Sequence, residues 1–253
     1  MNLMKKMFVL LVIVLLLVGI MSGCVEEENK KPTAGFSIDP ETNIYVDTTI
    51  TFSDTSDDKD GTIESWMWDF GDETNSTDSG PIEHSYDEIG TYTVTLTVTD
   101  NDDAESDIYS MNIEVTLKDI VTTAVDSGFS TLATALTAAD LVDTLKGEGP
   151  FTVFAPTNDA FAALNQTWLN SLIEDVTNLT LVLTYHVVSG KVMSTDLSDG
   201  EVMTLEGTNI TIAIDGTNVT VNGVLVTTAD VECSNGVIHI IREVLLPESV
   251  PGP

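Results

Sequence analysis

Residues 151 to 161 read Phe-Thr-Val-Phe-Ala-Pro-Thr-Asn-Asp-Ala-Phe, and the stretch changes structural period in its middle. Phe151, Val153 and Ala155 alternate with Thr152 and Phe154, the period-2 pattern of a buried strand. Pro156-Thr157-Asn158 then supplies a turn and a helix start, after which Ala160, Phe161, Ala162 and Leu164 continue at helical spacing. A strand that runs into a capped helix places the segment in a mixed unit. Upstream, Leu132, Leu136, Leu141 and Leu145 recur at helical spacing as far as Gly147, where a left-handed cap is expected. Downstream, Leu169, Leu172, Ile173 and Val176 extend a helical pattern over residues 168–183. From Val202 the period returns to 2. Ile210, Ile212 and Ile214 alternate with the polar neighbours Asn209 and Thr211, and Asp215-Gly216-Thr217-Asn218 and Val221-Asn222-Gly223 read as hairpin turns. Helices followed by a β-rich half make residues 117–248 an α+β domain, with 249–253 a short tail.

Three segments of this half resemble, in order, the fasciclin domain: residues 151–161, then Thr184-Tyr185-His186-Val187-Val188, then Gly236-Val237-Ile238-His239-Ile240-Ile241 with Val244-Leu245-Leu246-Pro247. The resemblance spans residues 119–247. It implies extracellular adhesion or ligand binding rather than catalysis, and it marks Tyr185 and His186 as adhesion candidates. Residue chemistry alone gives His186 a different role, packed inside and bonded to a polar neighbour such as Thr157 or Asn158.

The first half has another grammar. Short period-2 segments occur at residues 35–38, 49–53, 65–70, 91–99 and 109–115, separated by turns rich in Asp, Gly and Ser. In the cleanest, Tyr92, Val94, Leu96 and Val98 face one side and Thr91, Thr93, Thr95, Thr97 and Thr99 the other, so one face is buried and one is wet. Trp66, Trp68 and Phe70 share parity, with Trp68 the expected centre of the core. Five or more such strands predict a β-sandwich over residues 32–116. The residues Trp68-Asp69-Phe70-Gly71-Asp72, Gly90-Thr91-Tyr92-Thr93-Val94 and Thr99-Asp100-Asn101-Asp102 resemble the PKD repeat, an immunoglobulin-like module. That resemblance implies a spacer or adhesive module on surface proteins. His84 and Trp66 read as core or half-buried positions near a sheet edge.

At the N-terminus, Lys5 and Lys6 precede an apolar run from Met7 to Ile20 that closes on Ser22-Gly23-Cys24. The run is shorter than the ~20 apolar residues a spanning helix wants, and its order is that of a secretory signal. Ser22-Gly23-Cys24 resembles a lipobox, which implies cleavage after residue 23 and lipidation of Cys24, with residues 24–31 a charged tether. The protein is then expected on the extracellular face, anchored to the membrane through its N-terminal lipid. Cys233, the other cysteine, reads as a small buried hydrophobe.

Charge narrows the partners. The chain carries 9 bases and 41 acids, a formal net charge of −32, which becomes −34 once Lys5 and Lys6 are removed with the signal. Nucleic acid is excluded as a partner, because phosphate binding needs clustered Lys and Arg. The acidity suits a solvated surface in salty surroundings, with one sharper reading. Asp54, Asp57, Asp58 and Asp60 crowd one loop, a candidate calcium site to which Asp100 or Asp102 could add. It is not an EF-hand, because Ser56 and Met67 fall where the first acid and the closing Glu belong.

No G-x-S-x-G, H-E-x-x-H, C-x-x-C or Walker pattern occurs, so no enzyme activity and no cofactor other than calcium is expected. Sequons at Asn75, Asn165, Asn178, Asn209 and Asn218 are glycosylation candidates. The function expected is a membrane-tethered adhesion or ligand-binding protein. Its partners would be a surface or matrix protein or a polysaccharide, with self-association a further option. The competing reading is a surface carrier of a small solute, or a hydrolase with an unrecognised site.

Overall fold

A computed structural model describes residues 28–252. The signal segment, Cys24 and the start of the tether lie outside the described residues. The chain divides into two compact units, one built on residues 50–84 and 92–113 with the segment before residue 40, the other on residues 114 onward together with 40–49 and 85–91.

The first unit is a sandwich of two sheets. One has the order β1 (Phe36–Asp39), β2 (Ile50–Asp54), β5 (Ile82–His84). The other runs β4 (Asn75–Ser76), β3 (Ile63–Asp69), β6 (Gly90–Asp100), β7 (Tyr109–Val115). The five strands expected from alternation are present, and β4 and β5, too short to show a period, complete the sheets. Parity places the core as expected. Val94, Leu96 and Val98 of β6 are fully buried, as is Trp68, while Trp66 is half-buried. Trp68 stacks on Phe70 at 6.4 Å and meets Phe36 at 5.2 Å and Phe52 at 6.3 Å. Its indole N–H, which would be costly to bury unpaired, donates to the Asp78 carbonyl at 3.0 Å. His84 lies on the edge strand β5, stacked on Phe70 at 4.3 Å and bonded to Asp72 at 2.8 Å. The described end of the tether is docked on this unit: the Asn29 amide donates to Asp100 at 2.9 Å and the Lys30 backbone to Asp60 at 3.1 Å.

The second unit is a seven-stranded sheet with helices. Its order is β10 (Gly200–Met203), β11 (Asn209–Asp215), β12 (Asn218–Val221), β13 (Val224–Cys233), β14 (Gly236–Ile241), β8 (Phe151–Pro156), β9 (Val187–Ser189). Only β14 and β8 are parallel, paired from Gly236 with Phe151 to Ile241 with Pro156. A bridge from Val188 to Thr204 and a bond from Leu205 N–H to the Val187 carbonyl at 2.7 Å link β9 to the end of β10, so the sheet almost closes on itself. Both hairpins form as expected. Asn222 and Gly223 take φ of 49° and 81°, the left-handed pair that a two-residue turn between antiparallel strands requires.

β8 is buried on both faces, as central parallel strands are. Val153 and Ala155 face a core built with α1 (Ile120–Asp126), α2 (Ser130–Ala138), α3 (Val142–Lys146) and the later helices, whereas Phe154 faces a second core with Ile210, Ile212, Val221 and Ile241. The leucine pattern of residues 132–145 is two helices, not one, because Asp140 takes φ 56° between α2 and α3. Gly147 does close α3, but in an extended conformation (φ −66°, ψ −177°), which corrects the left-handed cap expected there. The segment at 168–183 is likewise split, into α5 (Gln166–Glu174) and α6 (Val176–Tyr185). Asp175 ends the first and caps the second by accepting from Asn178 N–H at 3.2 Å. The signature box folds as its period change dictates: β8 ends at Pro156, and Thr157 caps α4 (Asn158–Ala162) by accepting from Ala160 N–H at 3.2 Å.

Candidate functional site

α6 ends on Tyr185, and His186 is the residue that closes it, so both side chains sit where the last helical turn meets the sheet. Both are buried, at 6% and 3% exposure. The Tyr185 hydroxyl donates to the Asn209 carbonyl at 3.1 Å and accepts from the Asn222 amide at 2.8 Å, while Asn222 accepts from Thr211 N–H at 2.7 Å. This bolts the helix end to β11 and to the β12–β13 turn. On the other side, Nδ1–H of His186 donates to the Val182 carbonyl at 2.7 Å, and Nε2 accepts from Leu245 N–H at 2.9 Å. The partners are therefore backbone groups of α6 and of the segment after β14, rather than Thr157 or Asn158. Asn158 instead ties α4 to the α1–α2 turn, accepting from Thr131 N–H at 3.0 Å and donating to the Gly128 carbonyl at 2.8 Å. Burial drives the His186 pKa down to about 4, against a smaller upward pull from the bond to Val182, so the ring is neutral at pH 7.

A second knot of polar side chains had no signal in the sequence. Asp230, at φ 62° in the irregular stretch of β13, accepts from Ser194 N–H at 2.6 Å and from the Ser194 hydroxyl. Asp230 N–H donates in turn to Nδ1 of the fully buried His239 at 3.2 Å, and Nε2–H of that ring donates to the Val192 carbonyl at 2.9 Å. Burial alone would raise the Asp230 carboxyl. The two bonds from Ser194, and then the His239 ring, outweigh it and hold the pKa below the ordinary value. Serine, aspartate and histidine are all present, but not in catalytic order: the hydroxyl is bonded to the acid and both ring nitrogens are bonded to backbone groups. The knot pins residues 192–194 to the sheet.

Asn235 is a third such residue. It accepts from Ile120 N–H at 3.0 Å and donates to the carbonyls of Leu145 at 2.7 Å and Gly147 at 3.0 Å, so one side chain holds the start of α1 and the end of α3. Cys233 is buried against the Thr123 hydroxyl at 3.4 Å, and burial pushes its thiol pKa up, the opposite of an activated nucleophile. Beside His186, an apolar cavity of about 20 Å³ is lined by residues such as Ala124, Leu136 and Ile238, room for one water-sized body and no solute.

Three of the four loop acids have partners elsewhere in the unit. Asp54 accepts from the Trp66 indole at 2.8 Å and from Ser56 N–H at 2.9 Å, Asp57 pairs through its backbone with Thr33, and Asp60 faces Lys30 at 3.6 Å. Asp58 differs, because its Oδ2 is buried with no hydrogen-bond partner. That oxygen and Asn101 Oδ1 flank one point beside Gly61, where a Cβ would stand 2.6 and 2.1 Å from them. Among the described residues, no group of three or more His, Cys, Asp or Glu stands where it could hold a metal ion. Four sequon asparagines, Asn75, Asn165, Asn209 and Asn218, are exposed; Asn178 is half-buried on α6 with its amide donated to Asp175 at 2.7 Å. Among the described residues, no helix is long and apolar enough to cross a membrane.

Comparison with known proteins agrees with this architecture. A PKD domain profile matches residues 29–115 and a fasciclin domain profile residues 127–247. The Synechocystis sp. protein sll1735 is 47% identical over 123 residues, 48% of this chain and 91% of that protein. The cell surface glycolipoprotein MPB83 of Mycobacterium bovis is 36% identical over 137 residues, 51% of this chain and 61% of that one. Among solved structures, the PKD1 domain of Vibrio anguillarum Epp is 34% identical, covering 35% of this chain and 96% of that one with a TM-score of 0.31. The chain belongs to the fasciclin family, as a PKD domain followed by a fasciclin domain in an extracellular protein of the adhesion type.

Proposed function

We propose that the mature protein is held on the outer face of the membrane by a lipid on Cys24, and that its PKD domain presents the fasciclin domain to a matrix protein or a polysaccharide. The observation that carries this reading is the employment of the reactive side chains. Tyr185, His186, His239, Asp230 and Cys233 are each committed to a structural bond, and adhesion needs none of them free. Tyr185 and His186 then serve adhesion by fixing the shape of the domain rather than by touching the ligand. The relationship to a cell surface glycolipoprotein supports the anchor and the use of exposed sequons. The mature N-terminus, analysed by mass spectrometry, is expected to begin at an acylated Cys24, and the purified ectodomain is expected to bind at least one polymer class on a glycan and matrix array. An intact Met1 removes the lipid and leaves the uncleaved apolar run from Met7 to Ile20 as a signal anchor. A blank array removes the ligand-binding role.

Calcium is a second reading, favoured by the orphaned Asp58 oxygen facing Asn101. A carboxylate and an amide oxygen are hard donors suited to calcium, and extracellular calcium-binding modules hold it at ~10⁻⁴ to 10⁻³ M. The melting temperature of the PKD domain should rise with millimolar calcium beyond a magnesium control, and Asp58→Asn should abolish the difference. Equal shifts with both ions leave the loop an ordinary solvated turn whose repulsion any salt screens.

A further inference from the structure

The segment after β14, residues 244–252, has no helix or strand, yet it is well buried: Val244, Leu245 and Val250 are each under a tenth exposed. Among the described residues, two hydrogen bonds tie its backbone to the rest of the unit. One runs from Leu245 N–H to His186 Nε2 at 2.9 Å, the other from the Trp168 indole to the Pro251 carbonyl at 2.9 Å. A side-chain bond from the Ser249 hydroxyl to Glu206 at 3.2 Å adds a third tie, and the strap has none of the continuous ladders that hold the sheet.

We propose that His186 is an acid-sensitive latch for this strap. While the ring is neutral, Nε2 carries a lone pair and accepts from Leu245. When the ring takes up a proton, Nε2–H faces Leu245 N–H, donor against donor, and the bond is lost together with a charge buried in an apolar site. The other end of the ring is already donating to Val182, so protonation leaves no other way to satisfy Leu245. Among the described residues, the elements lining the cavity beside the ring bring no countercharge to it. They present Ala124 of α1, Leu136 of α2, Leu145 of α3, Phe154 of β8, Val187 of β9 and Ile238 of β14. The charged groups on the adjoining segment, Arg242 and Glu243, are paired with each other at 3.5 Å and are more than half exposed.

The sign follows from burial. The closed form binds its proton only near pH 4, whereas an exposed imidazole binds it at 6.5, so opening is favoured progressively as pH falls from 6.5 to 4 and is unaffected above 6.5. At pH 4.5 the open population rises roughly fiftyfold to a hundredfold over that at pH 8. Asp230 and Asp72 have carboxyls lowered below the ordinary value and titrate beneath that window. Opening would bare Trp168 and the apolar surface under Leu245 and Val250, which makes the strap an acid-gated cover on the fasciclin domain.

Hydrogen exchange on the full mature chain tests this, with rates corrected for the intrinsic pH dependence. Amides of residues 244–250 are expected to lose protection by that factor between pH 8 and 4.5 while β8 and β14 keep theirs. His186→Gln places a non-titrating acceptor near Leu245 and should remove the pH response of the strap. Should that variant fail to fold, the native chain answers by NMR: the Leu245 amide should shift with the His186 ring as the pH nears 4. A strap whose protection does not change with pH, or one that opens only together with β8 and β14, overturns the latch.

Discussion

Gly236→Ala should cost the fasciclin domain more than about 4 kcal/mol and leave much of it unfolded, because the change sets a side-chain carbon against a main chain that cannot withdraw. Gly236 opens β14 at φ 158°, and a Cβ there would lie 2.0 Å from the Phe151 carbonyl oxygen. Phe151 is its partner in the one parallel pair of the sheet, and that pair carries the signature strand β8. Relief would require β14 and β8 to part at their first rung. Gly216→Ala is the control: it has φ 63° in a hairpin turn with nothing within 4 Å, so only the left-handed penalty of about 1 to 2 kcal/mol applies. Urea midpoints of the two variants check the ranking. Equal costs would mean that strand opening is soft.

Trp68→Ala should cost the sandwich about 3 to 5 kcal/mol, the range for deleting a large buried aromatic side chain. Trp68 is fully buried between Phe36, Phe52 and Phe70, and its removal also orphans the Asp78 carbonyl. Trp66→Ala removes a half-buried ring whose indole bonds to the half-buried Asp54, so a smaller loss is expected. Exchange protection of β3 and β6 should fall much further in the first variant than in the second. A reversal would place the core on the wrong side of β3.

The strands of the sandwich were legible because one face of each is wet. Tyr92 to Val98 show their alternation in full, and the same parity placed Trp68 correctly. β8 was legible through a change of period, although its second buried face, with Phe154 directed into a separate core, is invisible to a period argument. The bonds that hold the fasciclin domain were not legible. Asn235 reaches Ile120 across 115 residues and His186 reaches Leu245 across 59. Such bonds join a side chain to a distant backbone group and leave no spacing to read. The Ser194–Asp230–His239 knot is hidden for the same reason. Gly147 was misread because an extended and a left-handed cap look alike in sequence. Residue types likewise marked Tyr185 and His186 without saying whether they point outward; burial shows them turned in.

A protein that presents a fasciclin domain to surrounding surfaces has to hold on to them under load. Beads carrying the mature chain through its N-terminus, drawn across cells and extracellular polymer under flow, measure that hold. The beads are expected to be retained, whereas beads bearing a chain truncated before residue 117 are expected to pass. Beads that pass every surface unretained, while the soluble chain binds a small solute or turns over a substrate, would make the protein a carrier or an enzyme instead.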